Sequence, residues 1–349
     1  MRVCTSPFSL PFSLPFVPFA PFVPFVHPLE ITVGSYNILC QKFISAMHYL
    51  NCPKNFKTQE YRHLLLQMEL DSLNADLYSF QEVAYGYYEQ LRETMAAKGY
   101  AGSYLRKNWS AEDGLATFVK TQKFEVVEWR TVDLALKASE ICGTIGVNPS
   151  QLALTQNTMA LFGLLKLRGQ RPFIFGNVHI HWDWNRNDVQ ALQISMTLKA
   201  LHEFAEEKGG LPYFLCGDFN VQPTTPAYSL MLKGSWTEEQ WRQGKMISTV
   251  MNEKSVNIPD LLGPHFPHPA QISSAYRTVM GSEPPTTNWT SDFYGCLDYI
   301  LYTPQRGLTP VAVLDFPQED AIKQYGGCPN QKHPSDHLSL MTRFKISKA

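Results

Sequence analysis

The stretch running from Tyr213 through Leu215-Cys216-Gly217-Asp218-Phe219-Asn220 most constrains how this chain can fold. Residues 213–216 form an apolar run and read as a short buried strand. Gly217 permits a tight backbone turn at its end. Asp218 and Asn220 follow at the strand's mouth, and Pro223 stops any continuation. Taken alone, the stretch has two readings. Its polar pair is either placed to meet a ligand or closes an Asx-type turn on its own backbone. The same arrangement recurs in Val33-Gly-Ser-Tyr-Asn37, Tyr78-Ser-Phe-Gln-Glu82, Phe175-Gly-Asn-Val-His179 and Cys296-Leu-Asp298-Tyr-Ile. Each is an apolar run ended or interrupted by an acid, amide or imidazole. Asp336 and His337 add a last such pair.

The order of elements narrows the fold. Strand-like runs cover 30–36, 77–80, 100–105, 115–120, 124–132, 158–167, 172–180, 296–302, 309–314 and 338–344. Helical periodicity covers 58–73, with Thr58 as N-cap, and also 85–98 and 188–207. Residues 134–156 read as an irregular insertion, and 233–290 as mostly loop with short helices. Strands often follow one another without a helix between them, so a simple βαβ sheet does not fit. The expectation is α/β (α+β): two mixed β-sheets packed as a sandwich with flanking helices.

Residues 1–28 stand apart, with Pro-Phe recurring first every four residues and then every three. Prolines at that density forbid a membrane-spanning helix and favour polyproline II or disorder. The segment reads as a low-complexity extension or as a docking arm for a protein partner or membrane surface. Residues 29–349 then form a single catalytic domain. A net charge of −1 announces no global field for nucleic acid, although a total hides a local basic rim. The 7 cysteines lack a CxxC pair, which points to free thiols in a reducing compartment. With no secretory signal evident, the expected location is cytoplasmic, with some nuclear pool.

Four carboxylates, two imidazoles and two amides at strand ends form a set suited to divalent-metal phosphoester chemistry. Hard oxygen donors hold Mg²⁺, or Mn²⁺ in its place. Amides and imidazoles hold phosphate oxygens, and one carboxylate activates water. Each residue also has a structural use: Asn37 could cap a turn, and Glu82 could start a helix. A rival reading rests on His179-Ile-His181-Trp-Asp183, an HxHxD run like that of zinc hydrolases. The further histidines such a site needs are not found.

The motifs Tyr36-Asn37-Ile-Leu, Gln81-Glu82-Val83, Gly217-Asp218-Phe219-Asn220, Leu297-Asp298-Tyr299 and Ser335-Asp336-His337 resemble, in order, those of the endonuclease/exonuclease/phosphatase superfamily. Within it the chain is most similar to the carbon catabolite repressor-type poly(A) deadenylases and their nocturnin, Angel and 2′-phosphodiesterase relatives. Tyr61-Arg62, Asp113-Gly114 and the run from His179 to Asp183 carry that resemblance. It implies Glu82 as main Mg²⁺ ligand with Asn37 and Asp336 near the metal. It implies Asp218 for orienting water, Asn220 and His179 for holding the scissile phosphate, and Asp298 with His337 completing the catalytic set. Phe293, Asn157 and Trp184 fall at substrate-binding positions. Trp184 replaces the usual proline of the base pocket, and Thr155-Gln156-Asn157 replaces a charged run. The implied activity is a Mg²⁺-dependent 3′-5′ exoribonuclease that shortens poly(A) and releases 5′-AMP. The alternatives are a 2′-5′ or cyclic phosphodiesterase, a nucleotide phosphatase, and a non-catalytic adaptor. The partner is an RNA 3′ end or a small phosphorylated nucleotide.

Overall fold

A computed structural model describes residues 30–44, 49–148, 158–236, 248–251, 254–257, 263–269 and 271–347. The Pro-Phe extension and Asn157 lie outside the described residues. Two six-stranded mixed sheets make up the framework. The first contains β1 (Glu30–Asn37), β2 (Leu77–Ala84), β3 (Tyr100–Arg106) and β4 (Asp113–Lys120). The second contains β5 (Phe124–Asp133), β6 (Met159–Leu167), β7 (Phe173–His179) and β8 (Tyr213–Asp218). A hairpin, β9 (Ser248–Met251) with β10 (Lys254–Asn257), stands apart. The short β11 (Ser273–Ser274), then β14 (Asp298–Tyr302), complete the second sheet, and β12 (Asn288–Trp289) pairs with β13 (Tyr294–Gly295). β15 (Leu308–Val313) and β16 (Leu340–Ile346) complete the first. The strand orders are β15-β16-β1-β2-β4-β3 and β11-β14-β8-β7-β6-β5.

Side chains alternate across each strand, so parity separates the layers. Ile31, Val33, Phe173, Phe175, Phe214, Cys216, Ile300 and Phe344 face the other sheet and form one buried cluster. Phe214 locks the layer, its ring centroid 4.8 Å from Phe344 and 5.6 Å from Phe173. Truncating such a ring costs about 3–5 kcal/mol. Helices α1 (Gln59–Leu73) and α2 (Tyr88–Ala97) cover the outer face of the first sheet. The second is covered by α3 (Leu134–Thr144), α4 (Asn187–Glu207) and α5 (Pro226–Lys233). Short α6 (Ala275–Met280) and α7 (Glu319–Lys323) pack at the margins.

The expected sandwich is present. One local expectation fails. Residues 134–144 are helix rather than irregular, because Asp133 accepts a hydrogen bond from Leu136 N at 2.9 Å and caps the first turn. Residues 226–233 are also helix, capped by Thr225 and opened by Pro226 at the position where proline costs no hydrogen bond. Residues 233–290, read as mostly loop with short helices, contain the short helix α6 and, outside that reading, the β9–β10 hairpin.

Along the inward faces, apolar residues give way to polar ones as each strand nears the same end of the sandwich. Ser35, Ser79, Gln81, Thr117 and Asn177 follow the aromatic layer, all buried. Gln81 Nε2 donates to Asn177 Oδ1 at 2.9 Å, tying the sheets together. Asn177 Nδ2 in turn donates to the carbonyls of Phe80 and Ala116 at 3.1 and 3.0 Å. One parity step further stand Asn37, His179, Asp218 and Asp298.

Candidate active site

Register brings the strand-end residues together. His179 lies opposite Asp218 across β7 and β8, and Asp298 lies opposite Asp218 across β14 and β8. Asp298 is thus the first residue of its strand, not an interruption within it. Asn37 Nδ2 approaches from the other sheet and donates to Asp218 Oδ2 at 3.0 Å and Glu82 Oε1 at 3.0 Å. Glu82 reaches this position through a bulge. The β2–β4 register shifts between Phe80 and Val83, and Glu82 takes φ 55°, in the left-handed region. Simple alternation would have pointed it into the outer layer. Its other oxygen accepts from Cys40 N at 3.0 Å. A left-handed glutamate is strained, and strain of this kind collects at functional sites.

Both readings of the 218–220 segment hold together. Asn220 N donates to Asp218 Oδ1 at 2.9 Å, an Asx turn with Asn220 at φ 52°. That turn uses one carboxylate oxygen and leaves Oδ2 facing the site. Gly217 is not the turn residue; it lies inside β8, where a Cβ would meet Val178 O at 1.9 Å. His179 Nε2 and His337 Nε2 stand 3.5 and 3.6 Å from Asp218 Oδ2. His337 Nδ1 donates to Asp298 Oδ2 at 2.8 Å, and Thr287 Oγ1 donates to the same oxygen at 2.6 Å. Asp336 Oδ2 accepts from Tyr49 Oη at 2.8 Å and from Asn288 Nδ2 at 3.3 Å.

The electrostatics follow from burial. Burial, then the neighbouring Asp298, pushes the Asp218 carboxyl up to about 7. Burial, then Asp336, raises Glu82. Burial lowers His179, helped by Lys107 and His337. Burial also works against the charged form of His337, but Asp298, Asp218 and Asp336 outweigh it and hold its pKa well above the ordinary imidazole value.

The donors fit a divalent cation. Ligand atoms of Asp218, Asp298 and His337 lie within 4.8 Å of one another. Asp298 Oδ1 and His179 Nδ1 are buried with no hydrogen-bond partner in the protein. Buried carboxylates without a compensating charge are costly, and a hard cation relieves that cost. The zinc pattern does not form: β7 ends at His179, and His181 is not part of this cluster.

Sequence reasoning assigned no role to the residues that hold the site from loops and helices, although Arg62 is among those that carry the family resemblance. Arg62 is buried on α1 and donates to Ile38 O, Leu39 O, Pro334 O and Gln41 Oε1. It ties the loop after β1 to the segment before Asp336. The signal was present, since Arg62 sits in helical register with the buried Leu66 and Leu70. Tyr49, Thr287 and Lys107, which pairs with Asp113 at 2.7 Å, lie in irregular segments that carry no periodic signal. At the rim, Trp184 is exposed, and Phe293 is half-buried at the tip of the β12–β13 hairpin, against Gly295.

A match to the model of the Endonuclease/Exonuclease/phosphatase family covers residues 34–337, from the strand before Asn37 to His337. The chain belongs to that family. It is therefore a hydrolase of phosphoester bonds. Its sequence is similar to "Carbon catabolite repressor protein 4 homolog 3" of Arabidopsis thaliana, 30% identical over 90% of this chain and 75% of that protein. It is similar also to the CCR4-Not complex 3′-5′-exoribonuclease subunit Ccr4 of Aspergillus oryzae, 28% identical over 91% of this chain. The chain spans about half the length of that subunit, 47%. Two solved structures share the fold: ANGEL2, a 2′,3′-cyclic phosphatase, in complex with adenosine-2′,3′-vanadate, at TM-score 0.76, and the human Nocturnin catalytic domain at 0.63. The first is 24% identical and covers 91% of this chain and 96% of its own; the second is 22% identical and covers 92% and 96%.

Proposed function

We propose that this family member is a metal-dependent 3′-5′ exoribonuclease that shortens poly(A) from the RNA 3′ end and releases 5′-AMP. The observation that carries it is Asp218 Oδ2, set between two imidazoles and an amide at 3.5, 3.6 and 3.0 Å, in a chain whose relatives include 3′-5′ exoribonuclease subunits. Glu82, Asn37 and Asp336 would hold Mg²⁺ or Mn²⁺. The bound cation supplies Lewis-acid stabilisation of the charge that builds on the phosphoryl oxygens.

The chain's own residues do the rest. Asp218 is placed to take a proton from the attacking water, its Oδ2 facing the site while Oδ1 is held by Asn220 N. The water oxygen bonds to phosphorus as the bond to the 3′ oxygen of the preceding nucleotide breaks. His179 and Asn220 hold non-bridging phosphate oxygens. Asp298 fixes the His337 ring by its Nδ1–H, so that Nε2 faces the reacting phosphate. Phe293 stacks on the terminal base, and Trp184 and Asn157 complete the base site.

A second reading keeps this centre and changes the substrate to a 2′,3′-cyclic phosphate or 2′-5′ linkage. The exposed Trp184 favours it, since it stands where the deadenylases place a proline. A small phosphorylated nucleotide would need only the inner site. Residues 29–349 are proposed as one catalytic unit, working in the cytoplasm with a nuclear pool. Assembly with other proteins, through the Pro-Phe segment or otherwise, is proposed from the complex named for the fungal relatives. Among the described residues no helix is long and apolar enough to cross a membrane.

The test presents RNA ending in adenosines, RNA ending in uridines, a 2′-5′ oligoadenylate and a 2′,3′-cyclic phosphate end, with Mg²⁺ and with EDTA. A metal-dependent ladder confined to 3′ adenosines supports the deadenylase. Preference for the cyclic or 2′-5′ substrate moves the chain to the second reading. Glu82→Ala removes hydrolysis and leaves the fold intact; an unchanged rate would take Glu82 out of the site.

A further inference from the structure

Among the described residues, the exposed aromatic side chains are Phe43, Tyr85, Trp109, Trp182, Trp184 and Tyr294. All lie in segments at the end of the sandwich that carries Asn37, Glu82, His179 and Asp298. Phe43 follows β1 and Tyr85 follows β2. Trp109 lies in the β3–β4 connection, Trp182 and Trp184 follow β7, and Tyr294 precedes β14. The register places the β3–β4 connection at this end, because Ala84 pairs with Asp113 and Arg106 with Gly114. Of the exposed aliphatic residues, Leu64, Met68, Val127 and Leu136 lie on the flanks, while Leu50 follows Tyr49, which donates a hydrogen bond to Asp336.

Chance scatter does not place every exposed ring around one mouth, and an exposed aromatic cluster of this kind marks a binding surface. Trp109 is 89% exposed and Trp182 71%. Their loops are nonetheless held in place. Asn108 Oδ1 accepts from Ser110 N at 2.7 Å and Ala111 N at 2.8 Å. Arg106 lies 4.3 Å from the Tyr85 ring centroid and donates to Ala111 O. On the facing loop, His181 N donates to Gln193 Oε1 at 2.9 Å, and Asn187 Nδ2 donates to Trp184 O at 2.8 Å. The rings are thus held out into water by backbone that is itself pinned, which is a preorganised stacking platform. Arg106 places a cationic group beside these rings, while Lys107 and Arg186 in the same loops are paired with Asp113 and Asp188.

We infer that Tyr85 with Arg106, Trp109 and Trp182 form a second subsite that stacks unpaired bases upstream of the scissile phosphate, so that the natural substrate is a single-stranded nucleic acid several nucleotides long. Flat rings beside cations suit successive bases, each of which offers a π-face. A peptide or lipid surface would be met by the aliphatic flanks rather than by rings around a phosphoesterase mouth. The inference rests on the proposed activity for the word upstream. It adds to that activity a place for the upstream bases and the residues, outside the inner site, that hold them.

The experiment uses the full chain in EDTA, so that nothing is cleaved. It measures affinity for fluorescein-labelled A12, by anisotropy, and for AMP, by tryptophan fluorescence. Wild type, Trp109→Ala, Trp182→Ala and the double variant are compared, with circular dichroism to check folding. The A12-to-AMP affinity ratio falls about tenfold for each ring removed. In Mg²⁺, kcat/KM falls about tenfold further on A12 than on A2. A ratio that neither substitution changes, or no binding of A12 by wild type, overturns the inference. Hydrolysis by wild type is read separately. If RNA is not cleaved but A12 is held through these rings, the activity fails and the platform stands. If RNA is cleaved and the ratio is insensitive to both rings, the platform fails and the activity stands.

Discussion

Asp218 and Asp298 face each other directly across strands β8 and β14, both buried in the layer between the sheets. Two carboxylates so placed repel, and burial adds to the cost; both effects raise the Asp218 pKa. This centre is therefore built against the stability of the metal-free protein. Asp218→Asn keeps the shape and the acceptor for Asn220 N and removes one charge, at the cost of the hydrogen bond from Asn37 Nδ2, which then meets an amide donor. In EDTA the relieved repulsion outweighs that bond, and the variant is more stable than wild type by about 1 kcal/mol. Hydrolysis falls by about a thousandfold or more. Mg²⁺ raises the wild-type melting temperature and moves the variant's little. A variant less stable than wild type in EDTA would remove the repulsion argument.

Arg62 spreads one guanidinium over three backbone carbonyls and Gln41, without a carboxylate directly paired to it. Lysine lacks the planar fork and cannot reach all of these acceptors. Arg62→Lys costs about 2–3 kcal/mol, because buried carbonyls lose their donors. It also slows hydrolysis, because the loop after Asn37 and the segment before Asp336 are no longer clasped together. Urea unfolding and kcat with saturating Mg²⁺ check both. A variant with full kcat would confine Arg62 to a structural part.

The Gln81–Asn177 strut beneath the site is a test of coupling between the sheets. Asn177→Leu leaves the Phe80 and Ala116 carbonyls without that donor and costs about 3 kcal/mol. Gln81→Leu alone costs less. The double variant is less destabilised than the sum of the two by about 1 kcal/mol, since neither amide is then left facing an apolar partner. Denaturation of all four proteins gives the cycle, and strict additivity would mean that the amides do not interact.

These three tests separate what the sequence made legible from what it hid. Asn37, Glu82, His179, Asp218 and Asp298 could be read because apolar runs of period two point to strands, and a polar residue at the end of such a run is conspicuous. The two-sheet sandwich followed from strands lying next to one another in sequence. What closes the site comes from elsewhere. Tyr49 and Thr287 act through single hydrogen bonds from irregular backbone, and no pattern of residue types encodes those. The bulge that turns Glu82 inward is equally silent in the sequence, since glutamate at φ 55° contradicts local preference. Helix α3 was different: its signal, the Asp133 cap, was present and was outweighed by an apparent lack of regularity through the rest of 134–156.

His268 and His333 predict the acid limb of stability. Burial lowers both pKa values to about 4. His268 Nε2–H donates to Leu230 O at 3.0 Å, while its Nδ1 is buried with no partner, so protonation has no acceptor to meet it. Unfolding lets each ring titrate near 6.5, so between about pH 6.5 and 4 the unfolded state binds more protons than the folded one. The stabilisation is therefore complete above 6.5 and is lost as pH falls towards 4. At pH 4.5 each histidine lowers stability by about 2 kcal/mol relative to pH 7. Urea unfolding at pH 7, 5.5 and 4.5 shows the slope, and His268→Gln flattens it by about half. A slope that His268→Gln leaves unchanged would assign the acid limb to other groups.

Gly217 carries the last prediction because it separates packing from chemistry within one motif. It lies next to Asp218 but touches no reacting group; its φ is 154°, and a Cβ there would meet Val178 O at 1.9 Å. Val178 and Gly217 are partners in the parallel β7–β8 ladder, so the clash cannot be relieved by a side chain moving away. The two strands must part, and these strands carry His179 and Asp218. Gly217→Ala therefore costs about 3 kcal/mol or more. The fraction that remains folded is also less active, because the approach between His179 and Asp218 is lost. Asn220→Gly makes a contrasting case: its φ of 52° suits glycine, so the backbone is unstrained and the loss is the amide with its hydrogen bond to Ile180 O. Thermal unfolding beside kcat for the two variants distinguishes the effects. If Gly217→Ala proved as stable as wild type, the close approach of the β7 and β8 backbones would not be the reason for glycine at this position.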